Sequence, residues 1–344
     1  MKTAQLLFLI SRTHGLMAHL LKTQDYVRLL GTRDLQDLVD FLLSTDYSTE
    51  LSLIPTSEVS AAQLEQIIYE KLAKRWYSLV SASSGKTRKL LEAHNARFEI
   101  ENLKMVIRAV HGKDRIPAEL FISVPRKYQR VNFRGLSEAK SMIEVAELLR
   151  ETPYIYFEQW LDEYEKYDNP IVLEAQLDKT YCADYWAKTH KNPDCDKLRD
   201  LIGTELDIRN LQVILSAKFM KLEPQLIRKM TFDLGNRLQR SAIAKLENVD
   251  LQAMPGMVLW PSYSELVREA VNLAVEGRLI DMEILFSRYM YSYDEKMAMR
   301  NPNNLVYVFS YLSLCLREAR DLKTLSMGKQ LKINRENLRN LTLY

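Results

Sequence analysis

The residues with the most reactive chemistry are few, and their spacing decides what they can do. Ser83-Ser84-Gly85-Lys86-Thr87 ends like a loop that cradles phosphates. That loop requires a further glycine five residues ahead of the Gly-Lys pair, where this chain carries Val80, and a strand leading into it, where Trp76 to Val80 reads as helix. A glycine turn between two helices accounts for the stretch better than a nucleotide site. Cys182, His190 and Cys195, with Asp194 and Asp196 beside them, have metal-ligand chemistry but lack the CxxC or HxxxH spacing that gathers ligands around one ion. A loop around Pro193 joining two helices is expected there. His14, His19, His94 and His111 form no constellation with a nucleophile. No catalytic residue, no cofactor and no metal ligand is assigned.

Two charged stretches invite weaker readings. Asp162, Glu163, Glu165 and Asp168 interleave with Tyr164 and Tyr167. Paired carboxylates can divide acid and base roles, yet such a run reads better as a solvated helix face or a protein-docking edge. Pro125-Arg126-Lys127-Tyr128-Gln129-Arg130, with Phe133 and Arg134, is the most basic aromatic patch and is expected to be a solvated connection. The balance of 48 basic against 45 acidic residues leaves no electrostatic footprint for nucleic acid. Three scattered cysteines argue against a disulfide framework and for a reducing compartment. No apolar run is long enough to span a bilayer. The apolar start, Leu6 to Ile10, is broken by Ser11-Arg12-Thr13-His14, which favours a first helix over a signal peptide.

The elements that carry these residues are helical. Only ten glycines and ten prolines occur in 344 residues, too few for the turns of a sheet protein, and 47% of residues are hydrophobic. The fold class is all-α. Its organising stretch is Glu99-Ile100-Glu101-Asn102-Leu103-Lys104, which returns as Asp207-Ile208-Arg209-Asn210-Leu211-Gln212 and, more worn, as Glu318-Ala319-Arg320-Asp321-Leu322-Lys323. The leucines Leu103, Leu211 and Leu322 lie 108 and 111 residues apart, the mark of a long internal repeat. A second match supports it: Leu29, Leu42, Thr45 and Tyr47 correspond to Leu136, Leu149, Thr152 and Tyr154 at an offset of 107, with only a faint third copy around Pro261-Ser262-Tyr263. An acidic residue also precedes an aromatic in each copy: Glu65 before Tyr69, Asp178 before Tyr181, Glu283 before Phe286. Three pseudo-symmetric helical repeats, 1–114, 115–222 and 223–344, follow, joined through helix starts at Ile116-Pro117-Ala118-Glu119, Glu223-Pro224-Gln225 and Ile333-Asn334-Arg335-Glu336. Within each signature the carboxylate and the Asn or Asp three residues on share a helix face. The expected role is structural: a polar pair hydrogen-bonded within its own repeat, fixing register.

The opening Arg12-Thr13-His14-Gly15-Leu16-Met17 with Tyr26, Leu29 and the Leu42-to-Tyr47 turn carries a family resemblance. So do the helices at Glu99 to Arg108 and Asp207 to Leu215, and the closing Arg317 to Lys323 with Gly328-Lys329 and Ile333 to Leu338. Together they make the chain resemble the C subunits of archaeal and bacterial V-type (A-type) ATP synthases, relatives of the d subunit of the vacuolar proton pump. The resemblance implies a funnel of three helical repeats that does no chemistry. It implies one copy per complex, on the cytoplasmic face, with the central-shaft subunits and the proteolipid ring as partners and membrane contact only through them. Such a subunit couples ATP turnover to proton or sodium transport. The alternative is a helical-repeat scaffold unrelated to ATPases, although a period near 110 is far from the ~34 residues of tetratricopeptide repeats.

If the signature pair is structural, Glu99→Leu and Asn102→Leu each lower unfolding free energy by ~1–3 kcal/mol, because buried partners are left unpaired. Denaturant titration reads the loss; unchanged melting with failed assembly would place the pair on an outward face.

Overall fold

The computed structural model describes every residue except 1, 53, 118–119 and 191–194, and all side chains of the described residues except those of 2, 3 and 57. Pro193, Asp194, Ala118 and Glu119 therefore lie outside the described residues. Among those described, the regular structure is helical throughout and no strand occurs, so the chain is all-α. In order the helices are α1 (Lys2–Met17), α2 (Thr23–Gly31), α3 (Leu35–Leu42), α4 (Ser48–Leu51), α5 (Ala61–Ser81), α6 (Gly85–Asn95), α7 (Arg97–Gly112), α8 (Phe133–Glu138), α9 (Met142–Leu149), α10 (Leu161–Tyr167), α11 (Ile171–His190), α12 (Asp196–Phe219), α13 (Pro224–Met230), α14 (Arg240–Asn248), α15 (Met254–Met257), α16 (Pro261–Val275), α17 (Leu279–Arg300), α18 (Leu305–Gln330) and α19 (Arg335–Leu341). The chain packs as two compact units, Met1–Ser84 with Glu265–Tyr344, and Gly85–Ser264.

The first unit is built around α18, which packs against α5, α17 and α1. A helix with neighbours on several sides must be apolar nearly all round. Accordingly Leu305, Val306, Val308, Phe309, Leu312, Leu314, Cys315, Leu322 and Leu325 are all buried. Asn304 starts it, its side chain accepting from the Val306 N–H at 2.9 Å. The neighbouring α5 begins with a capping box between Ser60 and Gln63 and buries Leu64, Ile68, Leu72, Trp76 and Leu79.

In the second unit α11 meets α6, α7 and α12. The sequence leads one to expect a helix soon after α7, at Pro117, but between Asp114 and Asn132 the described residues hold no α-helix. The Asn102 side chain of α7 takes both backbone groups of Ile122 in this stretch, which removes them from helix bonding. The expectation holds at the other two junctions, where Pro224 opens α13 and the Asn334 side chain caps α19 by accepting from the Asn337 N–H.

One close approach in the second unit has no room for a side chain. The Gly203 carbonyl on α12 accepts from the Asn236 N–H at 3.3 Å, and a Cβ on Gly203 would stand 2.8 Å from the Asn236 Cβ and 3.1 Å from its backbone nitrogen. Gly203→Ala is expected to destabilise the chain by ~1–3 kcal/mol through overpacking, despite alanine's advantage of about 1 kcal/mol in a helix interior. A lowered urea midpoint with unchanged helical circular dichroism is the expected reading.

Candidate functional site

The three signature carboxylates are buried, with Glu99 1%, Asp207 0% and Glu318 2% exposed. A buried carboxylate must be supplied with donors. Each of these three is supplied, by a shared plan with local variations.

Glu99 on α7 accepts from the Arg130 N–H at 2.6 Å through Oε1, and from Arg130 Nε at 2.7 Å and the Tyr154 hydroxyl at 3.1 Å through Oε2. Arg130 Nη2 also donates to the Tyr154 oxygen at 2.6 Å, and the guanidinium lies 5.5 Å from the Tyr154 ring centroid. Glu318 on α18 accepts from the Leu21 N–H at 2.6 Å, the Tyr47 hydroxyl at 2.9 Å and Arg75 Nη1 at 2.6 Å. Arg75 lies 5.4 Å from the Tyr47 ring centroid and spans to Asp46 at 2.9 Å. Asp207 on α12 is one methylene shorter. It accepts from the N–H groups of Asn236 at 3.2 Å, Arg237 at 2.8 Å and Leu238 at 3.0 Å, and from the Tyr263 hydroxyl at 3.2 Å. Arg237 still sits over the Tyr263 ring, 5.5 Å from its centroid. The chain can curl around so short an acid because residue 235 is glycine at φ +155°, where a Cβ would fall 2.2 Å from Asp207 Oδ1.

The electrostatics follow from this packing. Burial, reinforced by Glu318, holds the Tyr47 hydroxyl well above the ordinary phenol range; burial and Glu99 do the same to Tyr154. Burial opposes the charge on Arg75, yet Glu318 and Tyr47 outweigh it and hold the guanidinium firmly charged. Burial raises the Asp207 carboxyl against the pull of its backbone donors and Tyr263.

The second signature position clamps backbone. Asn102 accepts from the Ile122 N–H at 2.8 Å and donates to the Ile122 carbonyl at 2.9 Å. Asn210 does the same to Phe232, at 2.8 and 3.0 Å. Asp321 accepts from the Leu343 N–H at 2.7 Å, while its Oδ2 is buried without a hydrogen-bond partner. Burial pushes its carboxyl up to about 6, against the Leu343 N–H and the charges of Arg317, Arg320 and Arg288. The leucines Leu103, Leu211 and Leu322 are core residues. The terminal lysines also reach across: Lys104 pairs with Asp178 at 2.9 Å and Lys323 with Glu65. Those are two of the acids that recur ahead of an aromatic.

The donors are not where the sequence led one to expect them. The partners of Glu99 and Asn102 lie beyond residue 114, and those of Asp207 and Asn210 beyond 222. Glu318 turns to the first 75 residues of the chain. Helix geometry puts the acid and the residue three on at one face; in α7 and α12 that face meets the segment after the helix, and in α18 Glu318 meets residues from the start of the chain while Asp321 meets Leu343. Tyr47 and Tyr154 were visible as a match at fixed offset, and Tyr263, the faint third copy, occupies the same role. Arg130 and Arg237 were hidden in the basic patch and the turn before α14. Arg75 had no signal, since in its site the arginine comes from α5 instead of the segment that donates its backbone N–H.

The remaining candidates are accounted for locally. Gly85, at φ +56°, opens α6 soon after α5 ends, so a helix and not a strand leads into Lys86. Cys182 and Cys195 are buried, and burial pushes the Cys182 thiol up to about 12. His190 Nδ1 lies 3.1 Å from the Trp186 carbonyl. Among the described residues no three His, Cys, Asp or Glu side chains converge as a metal site. In α10, Glu163 pairs with Lys229, and the Tyr164 hydroxyl meets His111 Nδ1 at 3.0 Å. The three anchored carboxylates are buried and accept three or four hydrogen bonds each from fixed donors. What they can do is hold distant segments in register.

Comparison with known proteins adds whole-chain similarity. Residues 9–341 match the family described as ATP synthase (C/AC39) subunit. The chain is 23% identical to the C subunit of the A-type ATP synthase of Archaeoglobus fulgidus, covering 94% of this chain and 91% of that protein. It is 24% identical to the corresponding C subunit of Methanocaldococcus jannaschii, covering 92% and 80%, and 24% identical to that of Pyrococcus horikoshii, covering 96% and 88%.

The anchors predict a graded mutational response. Tyr47→Phe, Tyr154→Phe and Tyr263→Phe should each cost about 1–2 kcal/mol by removing one donor to a buried acid. Glu318→Gln should cost ~3–5 kcal/mol, since it removes the buried charge that faces Arg75 Nη1 and leaves the guanidinium paired with the half-buried Asp46. Asp207→Asn, which strands no arginine, should cost less than Glu318→Gln. Urea denaturation of these variants would check the order.

Proposed function

Because the chain belongs to the ATP synthase (C/AC39) subunit family, a family of accessory rather than catalytic subunits, we propose that it is the coupling subunit between the central shaft and the proteolipid ring of a rotary ATP synthase. In this reading it passes torque and performs no reaction. It sits on the cytoplasmic face, one copy per complex, and receives the foot of the shaft on one side and the ring on the other. Its body is a funnel of three pseudo-symmetric repeats, 1–114, 115–222 and 223–344.

The observation that carries the reading is the threefold recurrence of a buried, hydrogen-bonded carboxylate anchor at near-equal spacing in an all-helical chain. A part that transmits torque must resist shear between its segments. Buried, directional, charge-assisted bonds between residues far apart in sequence resist it better than apolar contacts alone, which slide without loss of area. Among the described residues no helix is long and apolar enough to cross a membrane, which fits membrane contact through partners.

In the complex that contains this chain, its deletion should leave ATP hydrolysis by the catalytic head and abolish ATP-driven ion uptake into vesicles, with uptake restored by adding the purified chain. Ion uptake that persists at full rate without it would overturn the proposal.

A further inference from the structure

Two of the three backbone clamps are amides and the third is an acid, and the difference has a chemical consequence. Asn102 and Asn210 each accept from an N–H and donate to the carbonyl of the same residue. Asp321 makes the accepting half of that pair with Leu343, and its other oxygen is buried with no partner. An ionised carboxylate has no donor for the second half; a carboxylic acid has one. We propose that Asp321 is a proton-operated latch: protonated, it completes the two-bond clamp on Leu343 and seats the segment that follows α19, and ionised, it lets that segment loosen.

What the latch holds is well defined. Leu343 packs in a small cluster with Ile284, Tyr291 and Leu341, and Tyr344 stacks on Tyr26 with ring centroids 4.8 Å apart. Arg288 from α17 donates to the carbonyls of Arg339, Asn340 and Thr342. The stacked Tyr26 is itself buried, and the charges of Glu318 and Asp321 both act on its hydroxyl.

The charges that face Asp321 do not neutralise it. Arg317 and Arg320, on its own helix, are engaged with Glu295 at 2.5 Å and Ser287 at 2.8 Å, and Arg288 is engaged with the carbonyls of the docked segment. Tyr26, from α2, also lies within electrostatic reach of Asp321. Burial therefore decides, and the carboxyl sits at about 6, above the ordinary carboxylate range. A carboxyl raised on docking favours the docked state most at low pH. The advantage is full below about 4 and is lost as pH rises through about 6, by up to about a hundredfold in the docking equilibrium.

Amide hydrogen exchange of the intact chain tests this directly, after division by the intrinsic pH dependence of exchange. Between pH 4.5 and 7.5 protection of the Leu343 amide should fall by about tenfold or more, while the Ile122 and Phe232 amides, clamped by Asn102 and Asn210, stay level in the same sample. Asp321→Asn should flatten the Leu343 profile at the low-pH level of the wild type. Leu343 protection that runs parallel to Ile122 and Phe232 in the wild type would overturn the latch, and so would a fall that survives in Asp321→Asn.

Discussion

A carboxylate removed from water has to be given donors or it will not stay charged, and the three acids that open the repeated signature are in that position. Glu99, Asp207 and Glu318 solve the same problem with the same kit: a tyrosine hydroxyl, a backbone N–H and, where reach allows, a guanidinium. The donors lie 31 and 55 residues from Glu99, and 271 and 297 from Glu318. Satisfying the charge is therefore the same act as closing the tertiary structure. In the first unit it ties the opening residues of the chain to α18, near its other end.

Such anchors are not needed for stability as such. A buried ion pair competes poorly with well-packed apolar residues of equal volume, because the desolvation of both ions offsets most of their attraction. What it supplies is direction. An apolar face tolerates a shift of one residue in register, whereas Glu99 finds Arg130 N–H, Arg130 Nε and Tyr154 only in one setting of the segment. The clamps at Asn102 and Asn210 act alike: by taking both backbone groups of Ile122 and Phe232 they withhold them from helix bonds where the chain must cross the signature helix.

The variations among the sites have simple physical origins. A side chain one methylene shorter cannot reach a guanidinium, so Asp207 draws in three successive N–H groups, and glycine at 235 makes the room. Where leucine replaces arginine at the donating position, in Leu21, the guanidinium arrives from α5 as Arg75 and keeps its place over the tyrosine ring. An interaction retained while the residues that make it move is the mark of a constraint on charge and geometry more than on sequence.

How much of this was legible in the residues alone divides along the reach of each interaction. Helix periodicity, the scarcity of glycine and proline, and the thrice-written signature determined the all-α class. They also put Glu99 with Asn102, Asp207 with Asn210, and Glu318 with Asp321 on shared helix faces, because those relations span three or four residues. The cap at Asn334 and the helix start at Pro224 are local in the same sense. Which segment each face meets was decided only by tertiary structure. Arg75, Arg130 and Tyr263 carry no periodic signal that names Glu318, Glu99 or Asp207 as their partners, and among the described residues between Asp114 and Asn132 helix bonding is set aside where Asn102, twenty residues away, takes both backbone groups of Ile122. A buried charge selects its donors by position in space, and a sequence records position only along the chain.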